Sequence, residues 1–124
     1  MRLLLDTHVA LFWLNGDPAL SDELVDTLEH EPEVYLSPVT LWEIAIKQAI
    51  GKLEGPPDLP EQLQRSGFIE LPVEHRHALA AGRLPMIHRD PFDRMLLAQA
   101  QCEGLRLATR DPWCHKYDVD TYPV

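Results

Sequence analysis

Apolar residues in this chain come in short blocks set between longer stretches of mixed polarity. The first block, Leu3-Leu4-Leu5, lacks any polar alternation, so residues 2–5 predict a short strand buried on both faces. Val34-Tyr35-Leu36, residues 68–71 and residues 105–108 predict three more short strands, and residues 119–124 supply a fifth strand ending on an edge. Helices are expected over residues 7–14, 22–29, 38–50, 58–66 and 74–82, and from Asp90-Pro91 to Glu103. Their limits carry the usual signals. Ser21 and Ser37-Pro38 are N-terminal caps, Asn15-Gly16, Gly51 and Gly104 are stops, and Gly55-Pro56-Pro57 and residues 84–89 are loops. Strands alternating with helices predict an α/β fold, a parallel sheet covered by helices on both faces.

Composition narrows this picture. A chain of 124 residues, 45% hydrophobic and 25% charged, is expected to form a single soluble domain over residues 1–124. Asp6 interrupts the first apolar run, so neither a signal peptide nor a membrane span is expected. Two cysteines, Cys102 and Cys114, make no disulfide framework, which fits a cytoplasmic protein. The net charge of −9 speaks against non-specific nucleic-acid binding, but it is unevenly spread. Residues 1–46 carry a net −8 and residues 47–110 a net +1. Much of that N-terminal excess lies on the solvated side of one helix and its exit, at Asp22, Glu23, Asp26, Glu29, Glu31 and Glu33. A small active cleft acting on RNA is compatible with that distribution.

Ligands of open parallel sheets bind beyond the carboxyl ends of the strands. Asp6 closes the first strand, Glu43 lies early in the helix after the second, and Asp111 follows the fourth. Asp90 and Asp93 open the helix leading into the fourth strand, and we place them at the opposite end of the sheet. Two like charges about 5 Å apart repel by roughly 3 kcal/mol at an effective dielectric near 20. A convergent set of four acids therefore needs raised pKa values or a divalent cation. An all-oxygen set suits Mg²⁺ or Mn²⁺, and the matching chemistry is metal-assisted hydrolysis of a phosphodiester.

Each acid also has a plainer explanation. Asp6, Asp90 and Asp111 are good helix caps, and Asp93 sits at the third position of a capping arrangement. Glu43 stands four residues before Lys47, the spacing of an ordinary surface ion pair, yet its helix face also carries Val39, Ile46 and Ile50. Thr7 either opens its helix or holds Asp6. The histidines, His88 among them, show no metal-ligand spacing. Arg89, Arg94 and Arg110 either hold phosphate or pair with neighbouring aspartates, and Trp13, Trp42 and Trp113 are expected in the core. A phospho-aspartate domain working through Asp6 is a distant alternative, because His8 stands where a second aspartate belongs.

Four stretches taken together resemble the PIN-domain ribonucleases, and more narrowly the VapC-type toxins of toxin–antitoxin pairs. They are Leu4-Leu5-Asp6-Thr7, residues 36–44 around Trp42-Glu43-Ile44, Asp90-Pro91-Phe92-Asp93-Arg94-Met95-Leu96-Leu97-Ala98-Gln99-Ala100, and Leu107-Ala108-Thr109-Arg110-Asp111. The resemblance implies a PIN-like α/β/α sandwich with a short sheet. It implies catalytic and metal-binding acids at Asp6, Glu43, Asp93 and Asp111, supported by Thr7, Thr109 and Asp90. It selects Asp93 over Asp90 as the third acid, and implies that its helix passes over the cleft. It further implies Mg²⁺ or Mn²⁺ as cofactor, RNA as substrate, a homodimer, and a cognate antitoxin through which any DNA contact is made. A catalytically inactive PIN-like module that only binds an antitoxin or RNA is the alternative.

Overall fold

The computed structural model describes residues 1–124. Five strands form one all-parallel sheet in the order β3-β2-β1-β4-β5. They are β1 (Leu3–Leu5), β2 (Val34–Leu36), β3 (Ile69–Glu70), β4 (Arg106–Thr109) and β5 (Thr121–Pro123). Six helices connect them: α1 (Thr7–Asn15), α2 (Asp22–His30), α3 (Pro38–Ala49), α4 (Leu59–Gln64), α5 (His75–Arg83) and α6 (Pro91–Glu103). A short 3₁₀ turn, Cys114–Lys116, which the apolar pattern does not signal, precedes β5. No helix is long and apolar enough to cross a membrane.

The central strand explains the two-sided core. Alternate side chains of a strand point to opposite faces. Leu3 and Leu5 join Val9, Ala10, Leu24, Leu28, Ile44 and Leu63 on one side of the sheet. Leu4 joins Leu96, Leu97, Ala100 and Leu107 on the other. Three consecutive leucines thus serve two cores, and all three are fully buried. The edge strand β3 is exposed at both residues and correspondingly short.

From β1 the chain steps outward to β2 and β3, then returns to pair β4 with the other side of β1. The order of strand addition therefore reverses between β1 and β4, where crevices open at strand carboxyl ends. Helix α6 fixes the geometry there. Its 13 residues extend about 20 Å at 1.5 Å per residue. Gly104, with φ 65°, stops it, and the Leu105 amide donates to the Ala100 carbonyl at 2.9 Å, so β4 starts at once in the reverse direction. The start of α6 therefore lies at the same end of the sheet as the finish of β4. The expected placement of Asp90 and Asp93 at the far end is corrected: a crossover helix runs antiparallel to its strands, so its first residues face the carboxyl edge.

Candidate active site

Asp6 leaves β1 with its amide still in the ladder, donating to the Ala108 carbonyl at 3.1 Å. Its Oδ1 accepts the Val9 amide at 2.8 Å and caps α1. The residue is only 5% exposed. Burial pushes its carboxyl pKa up, while the Thr109 hydroxyl, the Val9 amide and the charge of His8 oppose that rise and Asp111 adds to it. Thr7, next in the chain, donates to Glu43 Oε1 at 2.7 Å and lies 3.2 Å from the Thr40 hydroxyl, tying α1 to α3. Lys47 donates to the other Glu43 oxygen. Glu43 is 2% exposed. The 43/47 pair is thus a buried carboxylate neutralised from the rim, not a surface device. Glu43 raises the Lys47 pKa first, burial opposes it, and the charges of Asp90 and Asp93 raise it further.

Asp90 caps α6, its Oδ1 accepting the amides of Phe92 at 2.8 Å and Asp93 at 3.3 Å. That fixes Asp93 one turn in. The Asp93 pKa is pushed up to about 6, first by burial and next by the charge of Asp90, with His88 pulling it down and Glu43 and Asp111 adding to the rise. Asp111 is held twice by backbone: its amide donates to Thr109 Oγ1 at 3.0 Å, and its Oδ1 accepts the Trp113 amide at 2.9 Å. Its Oδ2 lies 3.0 Å from His88 Nε2, which is also 2.9 Å from Asp93 Oδ2. Beneath these acids the Cys114 thiol is pushed up to about 12, by burial first and then by Asp111, Asp93 and Asp6, so it stays protonated.

His88 owes its place to a loop without regular structure. Arg94, buried in α6, donates to four carbonyls: Ala81 at 2.8 Å, Leu84 at 3.0 Å, Pro85 at 3.0 Å and His88 at 3.1 Å. The Tyr117 hydroxyl accepts the His88 amide at 2.7 Å and donates to the Pro85 carbonyl at 2.9 Å. Arg94 thus neither holds phosphate nor pairs with an aspartate; it shapes the loop that delivers the imidazole.

Asp93 and Asp111 therefore meet directly through His88. Asp6 is coupled to Asp111, and Glu43 to Asp93, through their charges. Thr7 lies against Glu43 rather than against the Asp6 carboxylate, and Asp90 serves as a cap. His88 was missed because its distance from Asp93 and Asp111 in the chain matches no ligand spacing, and nothing local announces the fold of its loop. Trp42 and Trp113 are corrected as core residues, being 60% and 48% exposed; Trp42 instead sets its edge against Phe92. His88, Asp93 and Asp111 together offer one nitrogen and two oxygens within 4.8 Å of one another, a donor set that fits a divalent cation.

A site of carboxylates at the carboxyl edge of a short five-stranded parallel sheet has counterparts among known proteins. Residues 3–119 match the PIN domain family, and the chain belongs to it. Its branch is narrower. Over 117 residues the chain is 31% identical to Ribonuclease VapC22 of Mycobacterium tuberculosis (strain ATCC 25618 / H37Rv), covering 88% of this chain and 86% of that relative, and it is a VapC-type PIN domain. Solved structures agree on the fold. VapBC2 from Rickettsia felis, bound to a DNA fragment from its promoter, matches with a TM-score of 0.76 at 14% identity, over 99% of this chain and 98% of that one. The DNA-bound VapBC of Salmonella typhimurium matches with a TM-score of 0.74 at 15% identity, over the same shares.

Proposed function

We propose that this chain is the toxin of a toxin–antitoxin pair and acts as a divalent-metal-dependent endoribonuclease. The observation that carries the reading is the gathering of Asp93 and Asp111 on one imidazole, with Asp6 and Glu43 electrostatically coupled to them. Like charges at this density favour a cation, Mg²⁺ or Mn²⁺, held by Asp6, Asp93 and Asp111 with Glu43 completing the acidic set. Bound there, such a cation supplies an activated water and a Lewis acid for the departing oxygen of a phosphodiester.

The chain's own residues prepare the rest. Thr109 favours the ionised form of Asp6. Thr7 and Lys47 hold the two oxygens of Glu43, so its carboxylate keeps one orientation. Lys47 also brings a positive charge within reach of Asp90 and Asp93, where an RNA phosphate would lie. The VapBC structures of similar fold are toxin–antitoxin complexes bound to DNA. By the same pattern we propose a basic antitoxin segment that covers the acidic cleft and a separate antitoxin part that reaches DNA, in an assembly built on two copies of this chain. The net charge of −9 suits such a partner.

Cleavage of structured RNA by the purified chain tests this, with Mn²⁺ or Mg²⁺ added, EDTA as a control and Asp6→Asn as a second. Cutting that needs the metal and vanishes in the variant is the expected result. Undiminished cutting by the variant refutes the site, and absence of cutting with any metal or RNA favours a module that only binds.

A further inference from the structure

We infer that His88 is a nitrogen ligand of the cation site, and that it makes the site prefer Mn²⁺ to Mg²⁺. The inference rests on the cation-dependent reading above and adds a donor that an all-carboxylate site lacks. Its first support is spacing. Neighbouring donors on an octahedral ion, each about 2.1 Å from the metal, stand about 3.0 Å apart. His88 Nε2 is 2.9 Å from Asp93 Oδ2 and 3.0 Å from Asp111 Oδ2. Both nitrogen–oxygen separations match that value, and the three donor atoms all lie within 4.8 Å of one another.

The second support is rigidity. The loop that carries His88 is closed on both sides of the residue, its amide by Tyr117 and its carbonyl by Arg94. The Asp90 amide lies 3.4 Å from Nδ1, while Nε2 faces the two carboxylates. A bound cation would lie between Nε2 and the two carboxylate oxygens, held by His88, Asp93 and Asp111. The Asp90 contact to Nδ1 is long and weak.

The other cluster of similar composition does not compete. Glu74, His77 and Glu103 also converge, but Arg76 already pairs with both glutamates and supplies their positive charge. At the His88 cluster no arginine or lysine bridges Asp93 to Asp111; only the imidazole does. Imidazole favours first-row transition ions, whereas Mg²⁺ prefers oxygen alone and sheds water reluctantly. Selectivity follows from that one donor.

The test uses the full chain, stripped of metal and titrated with Mn²⁺ alone, read by electron paramagnetic resonance. Pulsed measurements are expected to show nitrogen hyperfine coupling to bound Mn²⁺, and ¹⁵N-histidine labelling of the unmutated chain is expected to convert it to the ¹⁵N pattern. His88→Gln is expected to abolish the coupling and weaken Mn²⁺ binding about tenfold or more, with Mg²⁺ affinity changed much less. His8→Ala is the control and keeps the coupling. Mn²⁺ bound without nitrogen coupling, or coupling that survives His88→Gln, overturns the inference while leaving the cation site standing. A chain that binds no Mn²⁺ overturns both. The labelling arm needs no variant and establishes a histidine ligand; with the coupling retained in His8→Ala, it assigns that ligand to His88 even if His88→Gln does not fold.

Discussion

Asp93→Asn should make the metal-free protein more stable, although it removes a residue proposed to be essential. Burial and neighbouring acids move the Asp93 pKa from 3.8 to about 6, which corresponds to roughly 3 kcal/mol at 1.36 kcal/mol per pH unit. The sign follows from linkage. A carboxyl whose pKa is raised on folding binds its proton more tightly in the folded chain. Its favourable contribution is complete below about pH 4 and is lost as pH rises through about 6. At pH 7.5 the folded chain therefore carries the full unfavourable charge. Asparagine keeps the shape, and its side-chain oxygen still accepts from His88. It forgoes the attraction of a negative charge to the start of α6, about 0.3–1 kcal/mol. The expected net gain is about 2 kcal/mol, or roughly 5–10 °C in Tm for a domain of this size. Thermal unfolding in EDTA at pH 4, 5.5 and 7.5 measures it. The gain should be largest at pH 7.5 and absent at pH 4, and added Mn²⁺ should stabilise the wild type more than the variant. A variant that is equally or less stable at pH 7.5, or a gain that ignores pH, refutes the electrostatic account of this site.

Two other substitutions separate folding from function. Asp6→Asn keeps a side-chain acceptor for the Val9 amide, and asparagine caps as well as aspartate. Urea unfolding should therefore shift by less than about 1 kcal/mol while RNA cleavage falls by about a hundredfold or more; Asp6→Ala should lose the cap as well. Arg94→Lys replaces a planar fork that reaches four carbonyls with a single ammonium, and should destabilise the fold by about 2–3 kcal/mol. It should also weaken Mn²⁺ binding, because the loop holding His88 loses its frame. Retained stability with unchanged metal affinity would show that this clamp is not needed.

Legibility in the sequence divides along a physical line. Features set by neighbours in the chain could be read: the two-sided burial of Leu3-Leu4-Leu5, the Ser37-Pro38 start of α3, and the Asp90 cap with its glycine stop at Gly104. The direction of α6 was also implicit, since a helix crossing between parallel strands must run against them, and following the chain would have placed Asp93 correctly. His88 could not be read that way. Its position depends on the Tyr117 hydroxyl and on an arginine buried in an apolar helix, and arginine is seldom buried so fully. Trp42 and Trp113 mislead for the opposite reason. Large aromatic residues are usually assigned to cores by composition, but here the core was already filled by leucines and alanines, and both indoles stand at the surface beside Glu43 and Asp111.

Helix cap and metal ligand looked like competing explanations for Asp6 and Asp111, but a carboxylate has two oxygens. Asp6 commits Oδ1 to the Val9 amide. Asp111 commits Oδ1 to the Trp113 amide and turns Oδ2 toward His88. In each case the backbone bond removes the side chain's freedom to rotate, so the remaining oxygen is held in place before any cation arrives. The cap is therefore compatible with the proposed site, because a ligand already ordered would lose less entropy on binding. Glu43 achieves the same order with Thr7 and Lys47, while Arg94 and Tyr117 hold the backbone of His88 in its loop. This order has a consequence for the acids themselves. Side chains that cannot swing apart cannot relieve their repulsion by moving, so repulsion adds to burial, the larger cause, in raising the pKa of Asp93 and would be relieved by the charge of a bound cation.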